Sequence, residues 1–324
     1  MVKIVSFSPL PEGVVRALIS SVYDGEVEVV VINEFDEDAI VEAVKDAEIV
    51  IGDYTFKIPI TERMMRAMQK IKLIQQPSTG YNNIDVDAAR KLGITVANVG
   101  GVNALSVAEH TVMFALALLK RLVYAHNSVL SGKWEQDEMA NLGVYELFGK
   151  TWGIIGMGAQ GRELVKRLQG WGVRVIYYDI KRAEDVEKQY GAEYRDFEDL
   201  LKEADIVSLH VPLTEKTKGM IGERELKMMK NSAILINVAR GEVVDEKALV
   251  KAIREKWISG AALDVFANEP PEGSELLELK DYNVLFTPHI AGATNEARLR
   301  IIREAMENIA RALRGEEIRH VVSG

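Results

Sequence analysis

"TWGIIGMGAQGREL", residues 151–164, is the stretch on which the reading of the fold turns. An apolar, strand-like run ends in Gly156, Gly158 and Gly161, spaced G-x-G-x-x-G, and a helical pattern follows. Alone, such a triplet is weak evidence, because a glycine turn often only packs a helix against a strand. Here Asp179 closes the next strand-like run, "VRVIYYD", at close to the interval of about twenty residues expected of a dinucleotide site. The residue types suit that task. Gly156 permits the tight turn, Gly158 lets the backbone approach a pyrophosphate, and Gly161 allows close helix packing, with helix N-terminal amides facing the negative charge. Asp179 can accept hydrogen bonds from an adenosine ribose and repels a 2'-phosphate, which favours NAD over NADP. Lys181 and Arg182 beside it act in the opposite sense.

Outward from this unit the chain alternates. Before it, "KIVSF", "VEVVVI", "EIVIGD", "KLIQQP" and "ITVANV" read as strands, and "DEDAIVEAVKD", "ITERMMRAMQK" and "DVDAARKLG" carry apolar residues at helical spacing. After it, "DIVSLHV", "AILINVA", "AALDVF" and "NVLFTP" continue the strands. Two long helical patterns, residues 103–123 and 295–315, sit where this second α/β unit begins and ends. The expected fold is therefore α/β with two doubly wound parallel sheets. One domain, residues 1–100 plus 291–324, is interrupted by a second, residues 101–290, and the last helix returns to the first. A cleft between two domains is a favoured place for a ligand.

The composition limits the function. With 40 basic against 49 acidic residues, the net charge of -9 repels a phosphate backbone, so nucleic acid is not an expected partner. Cysteine is absent, which removes disulfides, thiolate catalysis and Cys-bound metal; no metal site is expected. "MVKIVSFSPL" has too short an apolar run for a signal peptide, and "TVMFALALL" is far below a membrane span. No membrane association is expected, and the cytoplasm is the expected compartment.

Three ionisable residues follow strand-like runs of the second unit: Arg240 in "NVARGEVVDE", Glu269 in "AALDVFANEPP" and His289 in "NVLFTPHIAGAT". The carboxyl ends of parallel strands form the ligand face of such a sheet, so the three should converge there. Each has a plainer reading: a loop bridge for Arg240, a solvated charge for Glu269, a helix cap for His289. Together they meet the needs of 2-keto acid reduction. Arg240 offers a fork of donors that binds a carboxylate and polarises a carbonyl. His289 has a suitable intrinsic pKa for proton transfer, and Glu269 would fix its ring. Asp264, inside an apolar strand, needs a partner or is costly.

"STGYNNID", "NALSVAEHT", "LFGKTWGIIGMGAQGREL", "LHVPLTEKTKGMI", "NVARGEVVDE", "AALDVFANEPP" and "FTPHIAGAT", in this order, resemble the D-isomer-specific 2-hydroxyacid dehydrogenases over essentially the whole chain. The resemblance implies a flavodoxin-like substrate domain, an inserted Rossmann domain and a homodimer built mainly by the cofactor domains. It makes Arg240 the substrate-binding arginine, Glu269 its carboxylate partner and His289 the acid/base. Pro77, Ser78, Thr79 and Gly80 match the loop whose amides hold the substrate carboxylate. Thr79, Gly156, Gly158, Ala159, Gln160, Gly161, Asp179, Val211, Pro212, Thr217, Val238, Ala239, Arg240, Asp264, His289 and Gly292 fall on cofactor positions, with Asp264 expected to bond the nicotinamide half. Gln160 stands where the family usually has a branched aliphatic residue.

The preferred substrate carries a short uncharged group, as in glyoxylate or hydroxypyruvate, with Tyr54, Phe56 and Tyr81 as candidate lining. The alternative is D-3-phosphoglycerate; against it, Asp53 in "GDYTFKIPIT" is expected to disfavour a phosphate. An alternative of another class is an NAD(H)-sensing corepressor or scaffold on the same fold. Trp134 is a candidate to reach a neighbouring subunit, and His110 and His210 read as packing or supporting groups.

Overall fold

In the computed structural model, which describes residues 1–323, the early β-branched runs form β1 (Val2–Ser6), β2 (Val27–Val31), β3 (Ile49–Ile51), β4 (Leu73–Gln75) and β5 (Val96–Ala97). Between them lie α1 (Glu12–Ser20), α2 (Glu37–Val44), α3 (Glu62–Ala67) and α4 (Val86–Leu92). All pairings are parallel, in the order β2-β1-β3-β4-β5, which is flavodoxin-like. Side-chain oxygens start three of these helices: Asp36, Thr61 and Asp85 accept amides of the first turns of α2, α3 and α4. Helix α1 was not among the expected elements, although Val15 and Ile19, four residues apart, form its buried stripe.

The middle of the chain forms α5 (Ala104–Leu119), α6 (Leu122–Leu130), α7 (Gln136–Leu142), β6 (Thr151–Ile155), α8 (Ala159–Leu168), β7 (Arg174–Tyr178), α9 (Glu184–Tyr190) and β8 (Glu193–Tyr194). It continues with α10 (Phe197–Glu203), β9 (Ile206–Leu209), α11 (Glu223–Met228), β10 (Ile234–Asn237), α12 (Glu246–Arg254), β11 (Gly260–Leu263) and β12 (Val284–Phe286). These seven strands are also all parallel, in the order β12-β11-β10-β9-β6-β7-β8. The order reverses between β6 and β9, the switch point at which a doubly wound sheet binds its ligand. Helices cover both faces, which is why β9 and β10 are buried throughout and read as continuous apolar runs.

Helix α13 (Asn295–Arg314) returns to the first sheet, where Ala305, Met306, Ile309 and Ala312 pack with Val15, Ile19, Ile49 and Leu73. Contacts divide the chain into Met1–Asn103 with Asn295–Gly324, and Ala104–Thr294. The expected boundaries, after residues 100 and 290, lie a few residues before these divisions. The long helical pattern over 103–123 is corrected: α5 stops at Leu119, and Arg121 adopts a left-handed φ of 49° before α6 begins. Tyr145 donates its N–H to the Leu119 carbonyl, while Arg121 Nε reaches the carbonyls of Leu142 and Gly143. A distant segment thus ends the helix, although its apolar pattern runs on.

At the end of β9 lies His210, 8% exposed, whose Nε2 is 3.0 Å from Ser208 Oγ. Ser208 in turn accepts the indole N–H of the fully buried Trp152. Burial pushes the His210 imidazole down to about 3, so the folded protein holds it neutral. Its contribution to stability is therefore complete above the unfolded value of about 6.5 and is lost as pH falls from there towards 3. Denaturant unfolding from pH 7 to pH 4 is expected to fall less steeply for His210→Gln than for the wild type; equal slopes would show that His210 does not contribute.

Candidate active site

The glycine loop lies at the carboxyl end of β6. Gly156 has φ +101°, and a Cβ there would lie 2.7 Å from the His210 carbonyl oxygen. A Cβ on Gly161 would lie 2.2 Å from the Gly156 oxygen, so α8 can approach the turn only with glycine at this position. Gly158 has open space beside it and caps α8 without any side-chain bond. The exposed start of α8 at Gly158 and Ala159, with Gln160 half-buried next to it, thus presents unsatisfied amides to an anion.

Asp179, past the end of β7, accepts the Met157 N–H at 2.6 Å and the Lys181 N–H at 3.1 Å, tying the glycine loop to the next strand. Arg182 forks onto Glu187 at 2.7 and 2.8 Å, which draws one of the two nearby positive groups into an ion pair. Thr217 Oγ1 donates to the Pro212 carbonyl at 2.6 Å and receives the Thr214 N–H, which closes the loop after Val211. Val238 and Ala239, at the end of β10, are buried. These residues fit a dinucleotide: a cradle that a Cβ would fill, a helix start, and an acid at the ribose position.

The three strand-end residues take their places through different devices. Asn237, 1% exposed, donates to the Arg240 carbonyl at 2.9 Å and accepts the Ala239 N–H at 3.0 Å, fixing the turn that carries Arg240. The next residue, Gly241, comes so near Phe266 that a Cβ would lie 1.8 Å from its carbonyl carbon. This brings the Arg240 turn against the loop that carries Glu269. Glu269 Oε1 accepts the Phe266 N–H at 3.0 Å, and Oε2 lies 2.7 Å from His289 Nδ1.

Burial pushes the Glu269 carboxyl up, but the His289 and Phe266 hydrogen bonds and the charges of His289 and Arg240 outweigh it and hold the group below its ordinary value. Burial pushes the Arg240 guanidinium down, opposed by Glu269 and Glu242; an arginine remains charged in any case. An ionised Glu269 only accepts hydrogen bonds, so His289 must carry a proton on Nδ1. Nε2 is then the nitrogen left to give or take one.

Asp264 has a role that the sequence did not disclose. It is 1% exposed, and its carboxylate accepts the Thr287 hydroxyl and, at 2.9 and 2.8 Å, the N–H groups of Ile290 and Ala291. Its own carbonyl accepts the His289 N–H at 2.8 Å. His289 has a left-handed φ of 55°, and this set of bonds holds it there. Gly292, half-buried, follows the anchored segment.

In the other unit, the loop after β4 is tied down by side chains. Gln76 Nε2 donates to Ser78 Oγ at 2.9 Å, Ser78 Oγ donates to the Gly80 carbonyl at 2.7 Å, and Asn98 Nδ2 donates to the Thr79 carbonyl at 2.7 Å. Thr79 Oγ1 reaches the Gly100 carbonyl at 2.8 Å. None of the N–H groups of Ser78, Thr79 and Gly80 donates to an acceptor among the described residues. Tyr54, in the loop after β3, is 43% exposed. Asp53, expected to disfavour a phosphate, is 2% exposed, and its carboxylate accepts the N–H groups of Thr55, Lys57 and Ile58. These bonds shape the loop after β3.

Residues 112–291 match the family model described as D-isomer specific 2-hydroxyacid dehydrogenase, NAD binding domain. A glyoxylate reductase of Korarchaeum cryptofilum is 45% identical over 280 residues, 86% of this chain and 83% of that protein. A D-3-phosphoglycerate dehydrogenase of Methanocaldococcus jannaschii is 38% identical over all of this chain, which spans 60% of that protein. Among solved structures, a D-lactate dehydrogenase from Aquifex aeolicus complexed with NAD and lactic acid superposes with a TM-score of 0.86 at 32% identity, covering 99% of both chains. The matched model, these relatives and the fitting glycine loop agree: the chain belongs to the D-isomer specific 2-hydroxyacid dehydrogenases, NAD-dependent oxidoreductases.

Proposed function

We propose that this dehydrogenase reduces a short, uncharged 2-keto acid of the glyoxylate or hydroxypyruvate type, with His289 as the proton donor. The observation that carries the reading is the 2.7 Å contact between His289 Nδ1 and Glu269, at the strand ends beside Arg240. Bound NADH supplies the hydride to the carbonyl carbon of the substrate. His289 gives the Nε2 proton to the carbonyl oxygen, and Glu269 holds the ring and stabilises its charged form. Arg240 binds the substrate carboxylate and polarises the carbonyl. In the reverse direction, neutral His289 takes the hydroxyl proton back.

The unit of Met1–Asn103 and Asn295–Gly324 is the substrate domain in this reading, with the amides of Ser78, Thr79 and Gly80 as carboxylate donors and Tyr54 beside the substrate's side group. The unit of Ala104–Thr294 holds NAD through Gly156, Gly158, Ala159, Gln160, Gly161, Asp179, Val211, Pro212, Thr217, Val238, Ala239 and Gly292. Asp264 serves it by shaping the His289 segment. The glyoxylate reductase relative supports the small substrate over phosphoglycerate, since it is the more similar of the two. No described helix is long and apolar enough to cross a membrane; a cytoplasmic location is part of the proposal.

The protein is further proposed to be a homodimer. Leu122, Leu130, Trp134 and Phe148 are 56, 73, 82 and 73% exposed within one segment of the cofactor unit, and a second copy of the chain would cover them. Light scattering at micromolar concentration is expected to give twice 36.1 kDa, and Leu130→Glu to shift the mass towards one chain; a wild-type monomer would remove the dimer.

Turnover of glyoxylate, hydroxypyruvate, pyruvate and phosphohydroxypyruvate with NADH and NADPH tests the reading. Glyoxylate or hydroxypyruvate with NADH should be best, and His289→Asn should lower kcat by about 10²–10⁴-fold while NADH binding survives. Full turnover in His289→Asn would remove His289 from the chemistry. Tight NADH binding with no turnover on the whole panel would favour a cofactor-sensing binding protein.

A further inference from the structure

His110 takes no part in the roles above, yet α5 carries it to the anchor of the His289 segment. Its side chain is 12% exposed, and its ring packs edge-on against Phe114 at 4.4 Å. Nε2 lies 3.1 Å from Thr287 Oγ1 and 3.9 Å from Asp264 Oδ1. The Thr287 hydroxyl has a single proton. Asp264 Oδ1, which also takes the Ile290 amide, is the acceptor for that proton, so the Thr287 oxygen faces His110 with a lone pair. His110 must therefore present an N–H at Nε2. Burial lowers its pKa, with the Asp264 charge opposing, so the ring is neutral and the Nε2–H tautomer is the one this arrangement selects.

We infer that His110 is a positioning residue for the reaction: its Nε2–H orients the Thr287 hydroxyl onto Asp264, and Asp264 in turn fixes the amides around His289. The chain runs from His110 through Thr287 to the Asp264 carboxylate, then to the Ile290 and Ala291 amides on one side and, through the Asp264 carbonyl, to the His289 amide. Without His110 the Thr287 hydroxyl loses a fixed donor and is free to rotate. Asp264 then loses a bond in a buried place where no water replaces it cheaply. The segment relaxes, and His289 sits less well for proton transfer. The inference rests on the reading of His289 as proton donor.

The test is steady-state kinetics on the best keto acid substrate, with NADH affinity by fluorescence titration, for His110→Leu, His110→Gln, Thr287→Val, the Leu/Val double variant and His289→Asn. His110→Leu and Thr287→Val should each lower kcat about tenfold, with KM and the NADH Kd within about twofold, because a small misplacement costs rate rather than binding. The double variant should be no worse than the worse single one, since both break one chain. Gln offers an N–H near the place of Nε2 and should restore kcat to within about threefold of wild type. Full kcat in His110→Leu, multiplied losses in the double variant, or a Gln variant as poor as Leu would overturn the inference. Should His110→Leu not fold, Thr287→Val, nearly identical in shape, carries the test: an unchanged kcat there would overturn it equally. Should His289→Asn keep wild-type turnover, the underlying reading fails; should His289→Asn be inactive while His110→Leu keeps the full wild-type kcat, the inference alone fails.

Discussion

One buried carboxylate sets the geometry on which the proposed chemistry depends. Asp264 follows an apolar strand at 1% exposure, where an unpaired charge would cost several kcal/mol. It is instead saturated by a hydroxyl and two amides. Hydrogen bonds to a charged group contribute about 1.5–3 kcal/mol each. The left-handed backbone of His289 costs about 1–3 kcal/mol. The bonds outweigh the strain, so a conformation that a histidine rarely adopts becomes the ground state and the ring is aimed before any substrate arrives.

The second constraint acts on the ring itself. Glu269 divides its carboxylate between the Phe266 amide and the His289 imidazole, and its ionised state makes it an acceptor for both. One interaction thereby fixes the rotation of the ring and its tautomer. Arg240 adds a positive charge whose turn is held by Asn237 and by the close approach of Gly241 to Phe266. In the proposed mechanism, orientation, tautomer and electrostatic polarisation come from three adjacent strand ends of one sheet. The strand order β12-β11-β10 is what sets these three ends side by side.

Much of this was legible in the chain. Gly156 and Gly161 are needed by backbone conformation and close approach, which only glycine meets, so residue identity reveals geometry. Arg240, Glu269 and His289 were legible because parallel strands end on one face. Local pattern carries no signal for the partners of Asn237, Gly241 and Thr287: a turn's own backbone for the first, the Phe266 carbonyl for the second, and the Asp264 carboxylate for the third. The inward turn of the Asp53 carboxylate onto Thr55, Lys57 and Ile58 is equally invisible in "GDYTFK". The apolar pattern over 103–123 outruns the helix because Leu122 and Val123 continue it, while the stop is imposed by Tyr145, more than twenty residues on.

The central claim is that Glu269 holds His289 with its proton on Nδ1 and leaves Nε2 for the substrate. Nitrogen-15 resonances of the imidazoles address it directly, since the chain has only five histidines and His289→Asn assigns the signal. In the neutral ring, the account predicts a protonated, pyrrole-type Nδ1 and a bare, pyridine-type Nε2. A bare Nδ1 with the proton on Nε2 would contradict it, because Glu269 would then have no proton to accept and His289 no basic nitrogen left for the reacting oxygen.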